Sequence, residues 1–291
     1  MESEGGLSIR FHGVRGSTPC EGARFERFGG HTSCVELSSP GEPPLVLDLG
    51  TGVKSFGEEI EECSDYHANV LLTHLHWDHV QGLPFFTPLH SGRGLDIYGP
   101  RQSEGRLVDV FARFMGPPFF PITTEQLRST VDFHDIGDDD FAVGGAKVRS
   151  RWVRHNGPTL GFRVEQGGCT VAYIPDHGPG CTPDLPDDFI PDAVLELSDG
   201  ADVLIHDAQY TAAEFAKRRD WGHSTVDYAV HVASEAGATC LTMFHHDPYH
   251  DDPTVDRLLD YTRELASTRR VDRVLAASEG YSIDLTEEAT S

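Results

Sequence analysis

Cations are scarce in this chain: three lysines (Lys54, Lys147 and Lys217) serve 291 residues, and arginine supplies the rest. Lys and Arg total 23 against 47 Asp and Glu, a formal net charge of −24. A surface this negative repels a phosphate backbone, so extended nucleic acid is not an expected partner. It also disfavours small anions unless bound cations invert the local field. Long apolar runs are missing too. None approaches the roughly 20 residues that span a bilayer, so no membrane partner is expected. The opening Met1-Glu2-Ser3-Glu4-Gly5-Gly6 lacks the basic start and apolar core of a secretion signal, which makes a cytoplasmic protein the expectation. The six cysteines, Cys20, Cys34, Cys63, Cys169, Cys181 and Cys240, form no CxxC pair. They are expected to be buried or partly buried reduced thiols rather than thiolate metal ligands.

What is present is a folded composition, 38% hydrophobic and 24% charged, without a Ser/Gly-rich linker or internal repeat. Short apolar strands alternate with Gly/Pro turns. Strands are predicted at Leu7–Phe11, Ser33–Leu37, Leu45–Leu49, Ala68–Thr73, Lys147–Arg154, Leu160–Glu165, Thr170–Ile174, Val203–His206, Cys240–Phe244 and Arg273–Leu285. Helices are predicted at Val53–Cys63, Arg106–Met115, Ala212–Arg219, Val226–Ala236 and Val255–Leu265. Asp138-Asp139-Asp140 and Pro183–Asp192 suit solvated acidic turns. Strands in both halves with helices between them imply two face-to-face sheets with helices outside, in a single domain spanning 1–291.

The chemistry concentrates in Thr73-His74-Leu75-His76-Trp77-Asp78-His79, which begins where a buried strand ends. In extended backbone residues two apart share a side, so His74, His76 and Asp78 can converge, while His79 joins them only if the chain turns. Imidazoles and a carboxylate are ligands for zinc or another first-row metal. Four such groups in six residues exceed what one tetrahedral metal needs from one loop, and two adjacent metals follow. A merely His-rich surface loop is the alternative. Against it, His155, Asp176 and His245 also stand just past predicted strands, each as one polar residue delivered to a shared site.

These residues resemble the metallo-β-lactamase fold superfamily, whose His-x-His-x-Asp-His signature is matched by His74-Leu75-His76-Trp77-Asp78-His79. Asp48-Leu49-Gly50-Thr51-Gly52 resembles the Asp-x-Gly turn before that motif, and His155, Asp176 and His245 match the later ligand positions in order. The resemblance implies an α/β protein with an αβ/βα four-layer sandwich and a site along one edge. It implies two divalent metal ions, Zn2+ first, with Mn2+ or Fe2+ as alternatives. His74, His76 and His155 would hold one metal, Asp78, His79 and His245 the other, and Asp176 would bridge. A histidine at position 76, where the oxygen-reducing branch carries glutamate, implies hydrolysis. Leu204-Ile205-His206-Asp207-Ala208-Gln209-Tyr210 and Trp221-Gly222-His223-Ser224-Thr225 resemble the paired motifs of the ribonuclease Z and phosphodiesterase branch. Ser224 or Thr225 could equally cap the helix at Val226. The chain departs from ribonuclease Z at His245-His246-Asp247-Pro248, where His246 competes with His245 as last ligand, and it has no recognisable tRNA-gripping arm. The resemblance therefore runs to small bacterial phosphodiesterases, including those for cyclic nucleotides.

The expected reaction is hydrolysis of a small, in one form cyclic, phosphodiester. Two metals roughly 3.5–4 Å apart acidify a shared water and polarise a phosphoryl oxygen. Asp78 is the candidate proton acceptor, His223 the candidate donor to the phosphate or leaving oxygen, and Asp207 the group that holds His223 oriented and protonated. A lactone or thioester hydrolase, or a non-catalytic metal sensor, are the competing classes. Leu83-Pro84-Phe85-Phe86 and Gly116-Pro117-Pro118-Phe119-Phe120-Pro121 could stack on a substrate ring, pack in the core or meet a second copy in a homodimer. Arg15 is expected as a surface or turn-stabilising residue. His12, His31, His67, His90, His134, His177, His231 and His250 are expected to be structural, with His177 next to Asp176 the first to reconsider.

Overall fold

In Gly6–Gly13, the first strand (β1), Leu7, Ile9 and Phe11 are buried while Ser8 and Arg10 are half-buried, the two-residue period of a strand with one covered face. The structure, a computed structural model, describes residues 6–60, 67–90, 94–126, 131–181 and 185–286. After β1 come β2 (Cys34–Ser38), β3 (Leu45–Leu47), α1 (Val53–Ile60), β4 (Ala68–Leu71), α2 (Trp77–Val80), β5 (Leu95–Pro100), α3 (Leu107–Phe114) and β6 (Val131–Ile136). The second half supplies β7 (Asp139–Val143), β8 (Ala146–Trp152), β9 (Leu160–Gln166), β10 (Cys169–Ile174), α4 (Asp192–Ser198) and β11 (Val203–Asp207). It continues through α5 (Ala212–Phe215), α6 (Val226–Ala236), β12 (Cys240–Phe244), α7 (Asp252–Ser267), β13 (Arg273–Ala276) and β14 (Ser282–Thr286).

One sheet runs β14-β1-β2-β3-β4-β5-β6 and the other β13-β12-β11-β10-β9-β8-β7. Strands β3 to β6 are parallel in the first, and β10 to β13 in the second. The inner faces meet in a core that includes Phe11, Leu37 and Leu47 from one sheet and Phe162, Tyr173, Ile205 and Phe244 from the other. On the outer face of the first sheet Val46, Val70 and Ile97 pack against Val53, Phe56 and Phe111 of α1 and α3. On the outer face of the second, Ala172, Leu204 and Leu241 pack against Val194, Val230 and Leu258 of α4, α6 and α7. Helix, sheet, sheet, helix is the αβ/βα sandwich that the sequence implies. Strands β11 and β12 are buried at every position, as parallel strands covered on both faces must be.

Local chemistry sets the element ends. Thr225, not Ser224, caps α6, its hydroxyl accepting from Tyr228 N. Asp251 caps α7 by accepting from Thr254 N, with Pro253 in the first turn, so that helix starts earlier than its apolar period suggests. The helix expected over Ala212–Arg219 is only the one turn of α5. The strand expected over Arg273–Leu285 is two strands, β13 and β14, in different sheets. Asp139 and Asp140 are not a loop; they open β7, where Asp140 meets Arg149 and Arg151. Asp192 begins α4, and Cys63 and Pro183 lie outside the described residues. Cys34, Cys169 and Cys240 are buried and Cys20 is half-buried. Among the described residues, no helix is long and apolar enough to cross a membrane.

Candidate metal centre

The parallel strands of both sheets end at one edge of the sandwich, and the polar residues just past those ends converge there. Asp48 follows β3, His74 and His76 follow β4, Asp176 follows β10, Asp207 ends β11 and His245 follows β12. Strand carboxyl ends are where α/β sheets place ligand sites, because loops there can vary while the strands stay fixed. The backbone does not remain extended through Asp78. It turns at His76, the N-cap of α2, and that single helical turn carries Asp78 and His79 inward together. Convergence of Asp78 by strand alternation is thereby corrected.

Three overlapping donor groups result. His74, His76, His155 and Asp176 offer donor atoms that all lie within 4.8 Å of one another, as do Asp78, His79 and His245. In the third, His223 joins Asp176 and His245 within the same 4.8 Å. Asp176, 1% exposed, splits its two oxygens between the first two groups. Its Oδ2 lies 3.4 Å from His155 Nε2 and 3.6 Å from His74 Nε2. Its Oδ1 lies 3.1 Å from His79 Nε2 and 3.2 Å from His245 Nε2. Asp78 Oδ2 completes the second group at 3.3 Å from His79 Nε2 and 3.1 Å from His245 Nε2. His245 therefore belongs to the cluster. His246 turns away, its Nε2 meeting the Ala277 carbonyl at 2.9 Å.

Divalent cations fit this donor set. His74 Nε2, His79 Nε2 and Asp176 Oδ1 are buried and make no aligned hydrogen bond within the described residues. Buried polar atoms normally find a partner, and lone pairs converging on common points are satisfied by a cation. Charge within the cluster is uneven. Burial pushes the His74, His76 and His155 rings down, His155 to about 4, so these three rings are neutral and ready to ligate. Burial also opposes charge on His79 and His245, but Asp176 and Asp78 outweigh it and raise both. A cation entering the second group must therefore displace protons.

The rings are aimed by a surrounding layer of residues that the sequence motifs contain but to which they assign no role toward a metal. Asp48, fully buried, receives His79 Nδ1 at 2.7 Å, the Tyr173 hydroxyl at 2.9 Å and Thr73 N at 2.8 Å. Gln209 Oε1 lies 3.1 Å from His245 Nδ1, and the Gly222 carbonyl lies 2.8 Å from His155 Nδ1. Gly222 stands at φ +91, and a Cβ there would sit 2.4 Å from His155 Nδ1, which explains the glycine before His223. Second partners of this kind fix the tautomer and direction of a ligating imidazole. Asp48→Asn keeps the shape but removes the charge behind His79. Metal affinity is expected to fall roughly 10–100-fold, read by competition against a chromophoric chelator; unchanged affinity would remove Asp48 from this role.

His223 borders both groups. Its Nδ1 lies 2.8 Å from Asp207 Oδ2 and 3.9 Å from Asp176 Oδ2, and its ring stacks on His245 with centroids 4.9 Å apart. Asp207 is itself pinned by the backbone N–H groups of His177 (3.3 Å), Gln209 (3.1 Å) and Ser224 (3.2 Å). His177 turns from the cluster, its Nε2 lying 3.0 Å from the Tyr228 hydroxyl. Arg15 is not on the surface; fully buried, it donates to the carbonyls of Gly29 at 2.7 Å and His250 at 2.7 Å, stapling loops beside the site.

A two-sheet sandwich with a His/Asp cluster at the strand ends defines a class of metal-dependent hydrolases. Residues 61–246 match the family model for the beta-lactamase superfamily domain, and the chain belongs to that superfamily, in its metallo-β-lactamase fold. It is similar to an uncharacterized protein of Mycobacterium tuberculosis, 28% identical over 222 residues that cover 73% of each chain. It is similar to a ribonuclease Z of Synechococcus, 25% identical over 288 residues covering 83% of this chain and 88% of the relative. Its fold is that of YhfI from Bacillus subtilis, a metallo-beta-lactamase fold protein, with a TM-score of 0.72 at 20% identity over 97% of this chain and 100% of the other.

Proposed function

We propose that the chain is a phosphodiesterase that hydrolyses a small phosphodiester with the help of two divalent cations, zinc first. The observation that carries this is the division of Asp176 between two ligand groups, with His223, backed by Asp207, against the same carboxylate. His74, His76 and His155 would hold one cation, Asp78, His79 and His245 the other, and Asp176 both. Bound there, the cations would acidify water and draw charge from a phosphoryl oxygen. Asp78 is placed to take a proton, since its Oδ2 belongs to the second group and is steadied by Ser17 N at 2.7 Å. His223 gives its Nδ1 to Asp207, which leaves Nε2 as the proton-carrying atom for the phosphate or the departing oxygen.

Similarity to a ribonuclease Z supports phosphodiester chemistry, and the net charge of −24 argues for a small substrate rather than a folded RNA. The test is a panel of bis-p-nitrophenyl phosphate, 3′,5′- and 2′,3′-cyclic nucleotides, a lactone and a thioester, assayed with zinc, manganese and iron. Cleavage of a phosphodiester that depends on His223 is expected. Cleavage of only the lactone or thioester, indifferent to His223, would replace this reading, and no turnover on the whole panel would leave a metal-binding protein.

A further inference from the structure

Three large aromatic side chains that line one groove face solvent: Trp77 is 71% exposed, Phe85 58% and Phe119 77%. Phe86, by contrast, is 1% exposed and belongs to the core, so the two Phe-rich loops divide their rings between packing and surface. The exposed rings wall a groove of about 550 Å³ between α2, the Leu83–Phe85 turn, α3 and the Phe119-Phe120 segment. We propose that this groove receives an apolar arm of the substrate, an alkyl or aryl ester group whose phosphoryl end lies at the His/Asp cluster. The inference rests on the phosphodiesterase reading above and names the substrate class that reading leaves open.

Position supports it first. Leu75 and Trp77 line the groove and flank His76, whose Nδ1 lies 3.1 Å from His155 Nε2. The groove therefore begins one residue along the chain from a cluster histidine. Size agrees, since small-molecule pockets run from roughly 300 to 1,000 Å³.

The lining decides which arm. Gln81 and Arg113 are the polar residues among it, and Gln81 Nε2 is already directed at Thr32 Oγ1, 3.5 Å away. A nucleobase would surrender water from several donors and acceptors with little to replace it, whereas a hydrocarbon or phenyl group loses nothing. Edge-on packing of Phe85 against Phe120, centroids 6.1 Å apart, and of Phe111 against Phe114 at 5.8 Å gives walls suited to such a group. A second copy of the chain would bring another net charge of −24 alongside the first, which disfavours self-association in general.

The experiment is a series of p-nitrophenyl phosphodiesters whose second ester is methyl, butyl, hexyl or phenyl. For the wild type, kcat/KM is expected to climb roughly 2–4-fold per methylene buried. A Phe85→Ala/Phe119→Ala double variant should cleave the methyl ester normally and lose the climb. Binding of diphenyl phosphate, followed by fluorescence against a Trp77→Phe control, reads the groove apart from turnover and should weaken roughly tenfold in the double variant. A methyl ester that is cleaved with a flat series overturns the groove alone. A methyl ester left intact under zinc, manganese and iron overturns the phosphodiesterase reading beneath it. A wild-type dimer that Phe119→Asp splits, seen by sedimentation, gives the groove to a second copy and overturns the proposal.

Discussion

His223→Ala is expected to keep both metals and to lose roughly 10²–10⁴-fold in turnover, the range of a general acid. The expectation follows from placement. His223 is 7% exposed, its Nδ1 is bonded to Asp207 at 2.8 Å, and its neighbours His155 and His245 belong to different ligand groups. A His223 donor atom also lies within 4.8 Å of donors on Asp176 and His245. Two groups nonetheless close without it, His74, His76, His155 and Asp176 on one side and Asp78, His79 and His245 on the other. Metal content should therefore stay near wild type while the chemical step slows. Asp207→Asn should reproduce part of the loss by freeing the ring from its charged anchor. Because a general acid assists a poor leaving group most, the deficit should shrink with p-nitrophenolate, which leaves without a proton. Equal losses for good and poor leaving groups would assign His223 to binding instead, and metal lost with the ring would make it a ligand.

Asp176→Ala should act on metal content itself. Besides His223, this single buried carboxylate meets four ligand histidines, with Oδ2 at 3.4 and 3.6 Å from His155 and His74, and Oδ1 at 3.1 and 3.2 Å from His79 and His245. Removing an orienting partner already costs about 10–100-fold in metal affinity, and removing a shared ligand should cost roughly 100-fold or more at both positions. Activity should fall with metal content and return in part when metal is supplied in excess. Metal-depleted protein should also denature earlier than the loaded form, because binding to the folded state alone adds RT ln(1 + [L]/Kd) to its stability. A variant with full metal content would show that the two groups do not share this residue.

The fold was legible where burial writes a simple pattern. The fully covered strands β11 and β12 show as short, mostly apolar segments, Val203-Leu204-Ile205 and Cys240-Leu241-Thr242-Met243-Phe244, and α6 has both a regular period and a threonine cap. The outer strand β6 was not, because its residues are half-buried or exposed and alternate weakly. The four-residue helix α2 was hidden for another reason: it is shorter than one helical period can reveal, yet it alone brings Asp78 and His79 to the centre. Among site residues, His74 to His79 announce themselves by proximity in the chain. His155, Asp176 and His245 were readable as polar residues just past apolar strands. Asp48, Gln209 and Gly222 act through approaches made only in three dimensions, so motif spacing gave them no metal-related role. Left-handed backbone at Asp48 (φ 62) and His245 (φ 59) likewise leaves no trace in composition. Both lie directly past a strand end, where the surrounding site holds an otherwise costly conformation.

Elemental analysis of the purified chain, set beside the same analysis of Asp176→Ala, bears most directly on the centre. Two equivalents of a divalent transition metal per wild-type chain, and well under one in the variant, are the predicted values. A wild type that carries no stoichiometric metal, or a variant that carries as much as the wild type, would contradict a pair of cations held in common by Asp176.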